Sequence, residues 1–257
     1  MGITDYCIYP KKQLRGLPRI GGTKNPRMKE IVALKPDVVF ANQEENTPAV
    51  VNALRAAGLQ VIVNFPQTVD QALADLRAIA ALFQSAEAAH RVEDLAAAVA
   101  AARRQARDSL RTFCPIWQDL DSAGTPWWMT FNQYTFSHDL LGLCGFANVF
   151  AERERRYPLA ADLGQGMARD TLGRDTRYPR VTLEEIISLA PELILLPSEP
   201  FAFGQTDADR LADLLAGTPA ARNEQIHLVD GSVVTWPGTR IGRAVAELPL
   251  LLPARLS

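Results

Sequence analysis

Apolar and polar positions alternate with two distinct periods along the chain. The longest regular pattern runs from Gln67 to Cys114, a stretch with no Gly or Pro in a chain that has 16 and 17 of them. It opens on Thr68-Val69-Asp70-Gln71, a capping-box pattern in which the Thr hydroxyl and Gln side chain satisfy free backbone donors. Val69, Leu73, Leu76, Ala80 and Phe83 then recur at helical spacing. Ser85 re-caps, and a second helix carries Val92, Leu95, Val99, Ala102, Ala106 and Leu110 on one stripe, with Glu87, Arg91, Glu93, Arg103, Arg104 and Arg107 on its other faces. Its predicted span is 86 to 111, a length of about 39 Å at the helical rise. We read it as a stiff strut with an α/β unit at each end; the alternative is an ordinary long helix of a bundle.

Ahead of this stretch the pattern shortens. Met28 to Leu34 predicts a helix stopped by Pro36, and Val38 to Ala41 is a continuous apolar run of the kind that forms a buried parallel strand. Pro48 to Ala57, closed by Gly58, predicts a helix, and Gln60 to Phe65 a strand. Beyond it, Trp127 to Phe131 predicts a strand, Phe136 to Cys144 a helix closed by Gly145, and residues 151 to 180 a solvated, arginine-rich loop. Leu211 to Leu215 reads as helix, Ile226 to Val229 as strand, Trp236 to Arg240 as loop and Ile241 to Leu252 as a closing helix. The alternation specifies an α/β fold with parallel sheets.

The two halves repeat one another. Glu185 to Glu199 (Glu-Ile-Ile-Ser-Leu-Ala-Pro-Glu-Leu-Ile-Leu-Leu-Pro-Ser-Glu) matches Glu30 to Glu44 (Glu-Ile-Val-Ala-Leu-Lys-Pro-Asp-Val-Val-Phe-Ala-Asn-Gln-Glu) position by position, 155 residues apart. Both read helix, Pro, acid, apolar strand, Glu, which points to a duplicated lobe. The expected organisation is an N-terminal α/β lobe over 1–67, connecting helices over 68–111 and a C-terminal α/β lobe over 112–257, with a cleft between the lobes.

Composition narrows the function. A net charge of −2 without a basic run argues against nucleic-acid binding. Cys7, Cys114 and Cys144 lack CxxC spacing, and His90, His138 and His227 are the only histidines, so neither a disulfide framework nor a metal centre is indicated. No apolar run approaches the length of a membrane helix. Gly21-Gly22 lacks the Lys-Ser/Thr ending of a phosphate loop, and no triad or nucleotide fingerprint appears, so catalysis is not expected.

The chain resembles the class III, helical-backbone substrate-binding proteins of ABC importers for vitamin B12 and iron–siderophore chelates. The resemblance rests on Thr4-Asp-Tyr-Cys-Ile-Tyr-Pro10, Gly21-Gly-Thr-Lys-Asn-Pro26, Ile31-Val-Ala-Leu-Lys-Pro-Asp37, Ala41-Asn-Gln-Glu-Glu-Asn46, Trp128-Met-Thr-Phe131, Leu196-Pro-Ser-Glu-Pro-Phe-Ala-Phe203 and Val229-Asp-Gly-Ser-Val-Val-Thr-Trp236. It implies two Rossmann-like lobes joined by a rigid helix, no catalysis, a corrinoid or other metal chelate as the carried ligand, an ABC permease and its ATPase as partners, and a monomer. Family members begin with a further strand and helix, behind a signal peptide when exported. Neither is seen before Met1, so the first lobe is expected to be incomplete. Location is then periplasmic or membrane-associated by resemblance, or cytoplasmic if Met1 is the true start. In the cytoplasm, corrinoid handling or sensing is the alternative role.

Candidate ligand contacts are Tyr6, Tyr9 and Trp236 as apolar walls, and Asn42, Glu44, Glu45 and Glu199 at strand ends, where open α/β sheets place ligands. Phe131, Asn132, Tyr134, Phe201 and Phe203 follow predicted strands, and Arg240 is a candidate for an anionic group or for capping nearby carbonyls. Each has a structural alternative, as core, loop packing or solvated charge. Trp127 and Trp128 straddle a strand start and are assigned mainly to core; Cys7 and His138 are read as structural. By resemblance, Glu30, Glu184 and Glu185 are candidates for docking the permease, although Thr182 to Glu185 is itself a capping box and Lys29 stands where the family's first-lobe carboxylate tends to sit.

Overall fold

The computed structural model describes residues 1–105 and 109–253. The chain divides into two compact units, Met1–Phe65 and Pro66–Ser257. The predicted connecting helices therefore belong to the second unit.

The first unit is built on α1 (Met28–Ala33), β1 (Val39–Asn42), α2 (Pro48–Ala56) and β2 (Val61–Asn64). Thr47 caps α2 by accepting from the Val50 amide, and Pro48 occupies the first turn, where its missing N–H costs nothing. The strands pair in parallel, Val39 opposite Val61 through Asn42 opposite Asn64. The irregular leader is tied down by Arg19, whose guanidinium donates to the carbonyls of Thr4, Asp5 and Cys7. β1 departs from the expected buried strand: Ala41 is buried, but Phe40 is 41% exposed. β2 beside it is half-buried along its whole length.

The second unit continues with α3 (Val69–Leu82), α4 (Ala86–Arg104), β3 (Leu110–Phe113), β4 (Trp117–Leu120), β5 (Pro126–Met129), α5 (Phe136–Leu143) and β6 (Phe146–Asn148). Then follow α6 (Leu159–Asp162), β7 (Arg180–Val181), α7 (Leu183–Leu189), β8 (Leu193–Pro197), α8 (Gln205–Leu214), α9 (Pro219–Arg222), β9 (Ile226–Val229), α10 (Ser232–Thr235) and α11 (Ile241–Glu247), ending in a 3-10 turn. A parallel sheet of order β6-β3-β8-β9 forms the centre, and β4, β5 and β7 make a separate antiparallel sheet. Burial on both faces explains why β8 reads as unbroken Leu-Ile-Leu-Leu. Leu193 and Leu195 join one core with Val69, Leu73, Val99, Leu140 and Ile241; Ile194 and Leu196 join the other with Ile186, Leu211 and Ala220. The period-two alternation of the strand sorts its side chains between the two helix layers.

The capping predictions for the helices hold in part. Thr68 accepts from the Gln71 amide, but Gln71 Oε1 accepts from Gln67 N rather than closing the box on Thr68, and the Val69 amide is taken by Asp139. Ser85 caps α4 as expected, accepting from Ala88 N. The predicted helical span to 111 is corrected: α4 ends at Arg104, and Leu110 opens strand β3 opposite Phe146. The 19 residues of α4 span about 28 Å. Ala106 and Arg107 lie outside the described residues. The Leu110-to-Phe113 segment is drawn into the sheet because it places Phe113 in a fully buried position there.

The duplication is visible in the backbone. Val39 pairs with Val61 as Ile194 pairs with Ile226, so the offset of 155 carries β1 onto β8 with its register. The bonds at both strand ends are repeated, Val39 N to Gln60 O as Ile194 N to Gln225 O, and Gln43 N to Asn64 O as Ser198 N to Val229 O. Lys35 and Ala190, each just before the repeated Pro, both adopt left-handed φ, 44° and 42°.

The 151–180 stretch is more than a solvated loop. The Asp162 side chain is fully buried and accepts from the Arg153 guanidinium at 3.0 Å and from the amides of Arg156 and Arg180 at 2.9 and 2.8 Å. This node pins both ends of the segment to β7 and α6.

Candidate functional site

At the carboxyl ends of β8 and β9 in the second unit, the chain builds a compact polar and aromatic surface. β8 runs into Ser198 and Glu199; β9 runs into Asp230, Gly231 and Ser232. The two ends are joined where Gly231 N donates to Ser198 Oγ at 3.0 Å. A Cβ on Gly231 would lie 2.5 Å from Glu199 Cγ and 2.6 Å from Glu199 N, so this close approach admits only Gly.

Asp230 organises the next turn. Its Oδ1 accepts from Ser232 N at 3.0 Å and Ser232 Oγ at 2.6 Å, and its Oδ2 accepts from Arg243 at 2.9 Å. Burial works against the Asp230 charge, but the bonds from Ser232 and Arg243 outweigh it and hold its pKa below the usual range. Arg243 also grips Glu247 at 2.8 Å and is raised by those bonds. Arg240 donates to Ser232 Oγ at 2.7 Å, and its guanidinium carbon stands 4.9 Å from the Trp236 ring centroid. Glu199, half-buried, has its pKa raised by desolvation and by the Asp230 charge, with Arg240 partly offsetting both. Phe201 extends the surface, edge-on to Trp117 with ring centroids 5.5 Å apart. Its amide donates to Ile116 O.

The predicted residues divide into three sets. Glu199, Phe201, Trp236 and Arg240 stand on this one surface. Phe131, Asn132 and Phe203 are corrected: they are 1%, 0% and 5% exposed and offer a ligand no area. Phe131 and Phe203 are core, and Asn132 spends its side chain bonding Thr176 O and the Tyr134 amide. Asn132 and Phe203 each have an exposed neighbour, Gln133 and Ala202, a distinction that a strand-end assignment without a register does not make. Tyr134 is 53% exposed. In the first unit, described by itself, Tyr6 and Tyr9 are 65% and 58% exposed. Asn42 turns the end of β1 by accepting from Glu44 N at 2.7 Å, and Glu45 accepts from Thr23 Oγ1 at 3.2 Å. Trp127 and Trp128 are both buried, as core residues should be.

Of the docking candidates, Glu184 is exposed, whereas Glu185 closes the capping box with Thr182 and accepts from Arg153 at 3.0 Å. Glu30 pairs with Arg27 at 3.0 Å. Sequence reasoning missed Ser198, Asp230 and Ser232 as organisers of the site, and Trp117 as its aromatic edge. The repeat held a signal for the first: Ser198 stands where Gln43 follows β1. Chemically the surface offers a fixed guanidinium, two carboxyls of opposite pKa tendency and rigid rings. It is equipped for recognition. Among the described residues no group of three His, Cys, Asp or Glu side chains is placed to hold a metal ion.

A model of the family described as Periplasmic binding protein matches residues 2–233. The chain belongs to that family. Its members are substrate-binding proteins of ABC importers rather than enzymes, and they work in the periplasm. Among curated relatives, the vitamin B12-binding protein of Vibrio cholerae serotype O1 is 22% identical over 256 residues, covering 96% of this chain and 79% of the relative. The fold is likewise that of solved periplasmic binding proteins. The periplasmic vitamin B12 binding protein of Vibrio cholerae superposes with a TM-score of 0.72 at 20% identity, covering 97% of this chain and 86% of that one. The periplasmic heme-binding protein of Roseiflexus sp. RS-1 gives 0.71 at 19% identity, covering 97% and 88%. The class III α/β architecture expected from the sequence is therefore the family's own.

Proposed function

We propose that this periplasmic binding protein captures a corrinoid and hands it to an ABC permease with its ATPase. The observation that carries the reading is the arrangement of Trp236, Arg240, Ser232 and Glu199 at the ends of β8 and β9. A rigid indole held beside a guanidinium suits a large, mostly apolar ligand with a few polar substituents. The similarity to a curated vitamin B12-binding protein along 96% of the chain supports the corrinoid over other chelates. Phe201 adds a second aromatic wall, and Tyr134 is a further contact. Tyr6, Tyr9, Asn42, Glu44 and Glu45 are assigned to ligand contact from the first unit. Glu184 and Glu30 are assigned to permease docking; Glu185 serves mainly to fix the start of α7. The protein acts as a monomer in the periplasm or at the membrane, with the chelate as cargo and no intrinsic cofactor.

The test is a calorimetric titration of the protein with cyanocobalamin, with ferrichrome in parallel. The reading expects saturable one-to-one binding of cyanocobalamin, weakened about tenfold or more by Trp236→Ala, as for loss of a buried aromatic anchor. Ferrichrome binding alone would replace the corrinoid with a siderophore. Cobalamin binding untouched by Trp236→Ala would remove the strand-end surface as the site.

A further inference from the structure

The arginine-rich segment between β6 and α7 holds a second cluster that the surface at the ends of β8 and β9 does not use. Tyr157 is buried, and its hydroxyl donates to Asp175 O at 2.8 Å, which fixes the ring. The guanidinium carbons of Arg155 and Arg174 lie 4.2 and 4.0 Å from its centroid. The two cations are therefore within about 8 Å of each other, held by the ring's quadrupole. Arg180 belongs to the same group, its guanidinium carbon 6.0 Å from the Trp127 ring. The Trp127 indole N–H is itself buried and finds no acceptor.

Three carboxylates of this region already have partners, and Asp175 also feels the Arg155 charge. Asp162 is paired with Arg153, Asp175 with Arg177 at 2.6 Å, and Asp170 Oδ1 accepts from Leu172 N. Among the described residues no carboxylate forms an ion pair with Arg155, Arg174 or Arg180. The side-chain hydrogen bonds of Arg174 and Arg180 go to backbone carbonyls, at Thr171, Asp170 and Tyr178. Burial and the neighbouring Arg155 charge press the Arg180 pKa downward, and Asp162 offsets them only in part. Cations gathered in this way, Arg155 and Arg180 half-buried and Arg174 exposed, offer several donors to an oxyanion, with the unpartnered Trp127 indole next to Arg180.

We propose that Arg155, Arg174 and Arg180, gathered around Tyr157 and Trp127, form an oxyanion-binding site that takes a carboxylate or phosphate group. Planar guanidinium groups match such oxyanions through paired N–H donors, and the indole N–H supplies one more. The site stands on these contacts alone and does not depend on the corrinoid reading. Its oxyanion comes either free in solution or as the anionic arm of a chelate.

Titration followed by the Trp127 indole ¹H–¹⁵N resonance tests it, with the resonance assigned through Trp127→Phe. The probes are inorganic phosphate, citrate and ferric EDTA at low ionic strength. The expected result is a saturable shift of that resonance, weakened by added salt and weakened about tenfold or more by Arg155→Gln and by Arg180→Gln, as for loss of a charge-assisted bond. Near-UV circular dichroism checks that both variants keep their packing. Saturation by phosphate or citrate identifies a free anion as sufficient; saturation by ferric EDTA alone places the oxyanion on a chelate. No saturable shift with any of the three probes, or undiminished binding in both variants, overturns the proposal.

Discussion

At Glu199, desolvation and the Asp230 charge outweigh Arg240 and raise the carboxyl's pKa, while a few residues away Asp230 is shifted down. The sign of each contribution follows from linkage. A carboxyl whose folded pKa is raised costs stability when ionised, a cost that disappears as pH falls through its folded value; a carboxyl that is lowered stabilises above its unfolded value and loses that contribution in acid. Glu199→Gln removes the first effect without changing the side chain's shape. The variant should therefore melt higher than the parent at neutral pH, with the gain vanishing as the pH is taken below the ordinary carboxylate range. Thermal midpoints measured across that range check this, and a gain that persisted in acid would show that desolvation of the Glu199 charge is not its source. Glu199 was legible as a candidate because it repeats Glu44. Its partners were not, because Asp230 and Ser232 are brought to it only by the pairing of β8 with β9.

Among the elements, the segment over residues 151–180 departs furthest from its sequence pattern. Seven arginines and five acids looked like solvated surface because charge in a periodless stretch carries no sign of burial. Its order comes from Asp162, which receives a guanidinium and two backbone amides from positions 153, 156 and 180. Asp162→Asn keeps the volume but removes one of the two carboxylates that hold Arg153, Glu185 being the other, and the charged acceptor of two backbone amides, which is expected to cost about 1.5–3 kcal/mol. Urea denaturation of the two proteins measures it, and a loss below about 1 kcal/mol would place the segment's stability elsewhere. Where the pattern was strong the elements were legible: Ser85 capping α4, α5 closing before Gly145, and β9 at the predicted residues. The end of α4 was missed because Leu110 fits the helical stripe by spacing, and only the sheet that recruits it shows otherwise. Phe131, Asn132 and Phe203 were misassigned for a related reason. Strand ends hold both inward and outward residues, and the local sequence does not state the register.

For the molecule as a whole, the duplicated helix–Pro–strand unit sits in two different settings. In the second unit every residue of β8 is buried between two helix layers; in the first, β1 buries Ala41 alone. The sequence shows the duplication but not this asymmetry, which depends on how many neighbours each unit supplies. Its consequence is energetic. A unit of 65 residues has a small share of its surface to bury, and the buried apolar side chains of its helices are Ile31, Val51 and Leu54. The same backbone bonds therefore close over very different cores, and local opening should cost much less in the first copy. Native-state hydrogen exchange tests this at matched positions: the amides of Phe40 and Ala41 against those of Leu195 and Leu196, which the offset of 155 places in register. The β8 amides should exchange only through the largest openings of the second unit, and the β1 amides faster by a factor of about ten or more, as a difference of 1.4 kcal/mol in opening free energy requires. Equal protection at the matched positions would mean that the two units open as one, and that the shallower burial of β1 does not set its stability.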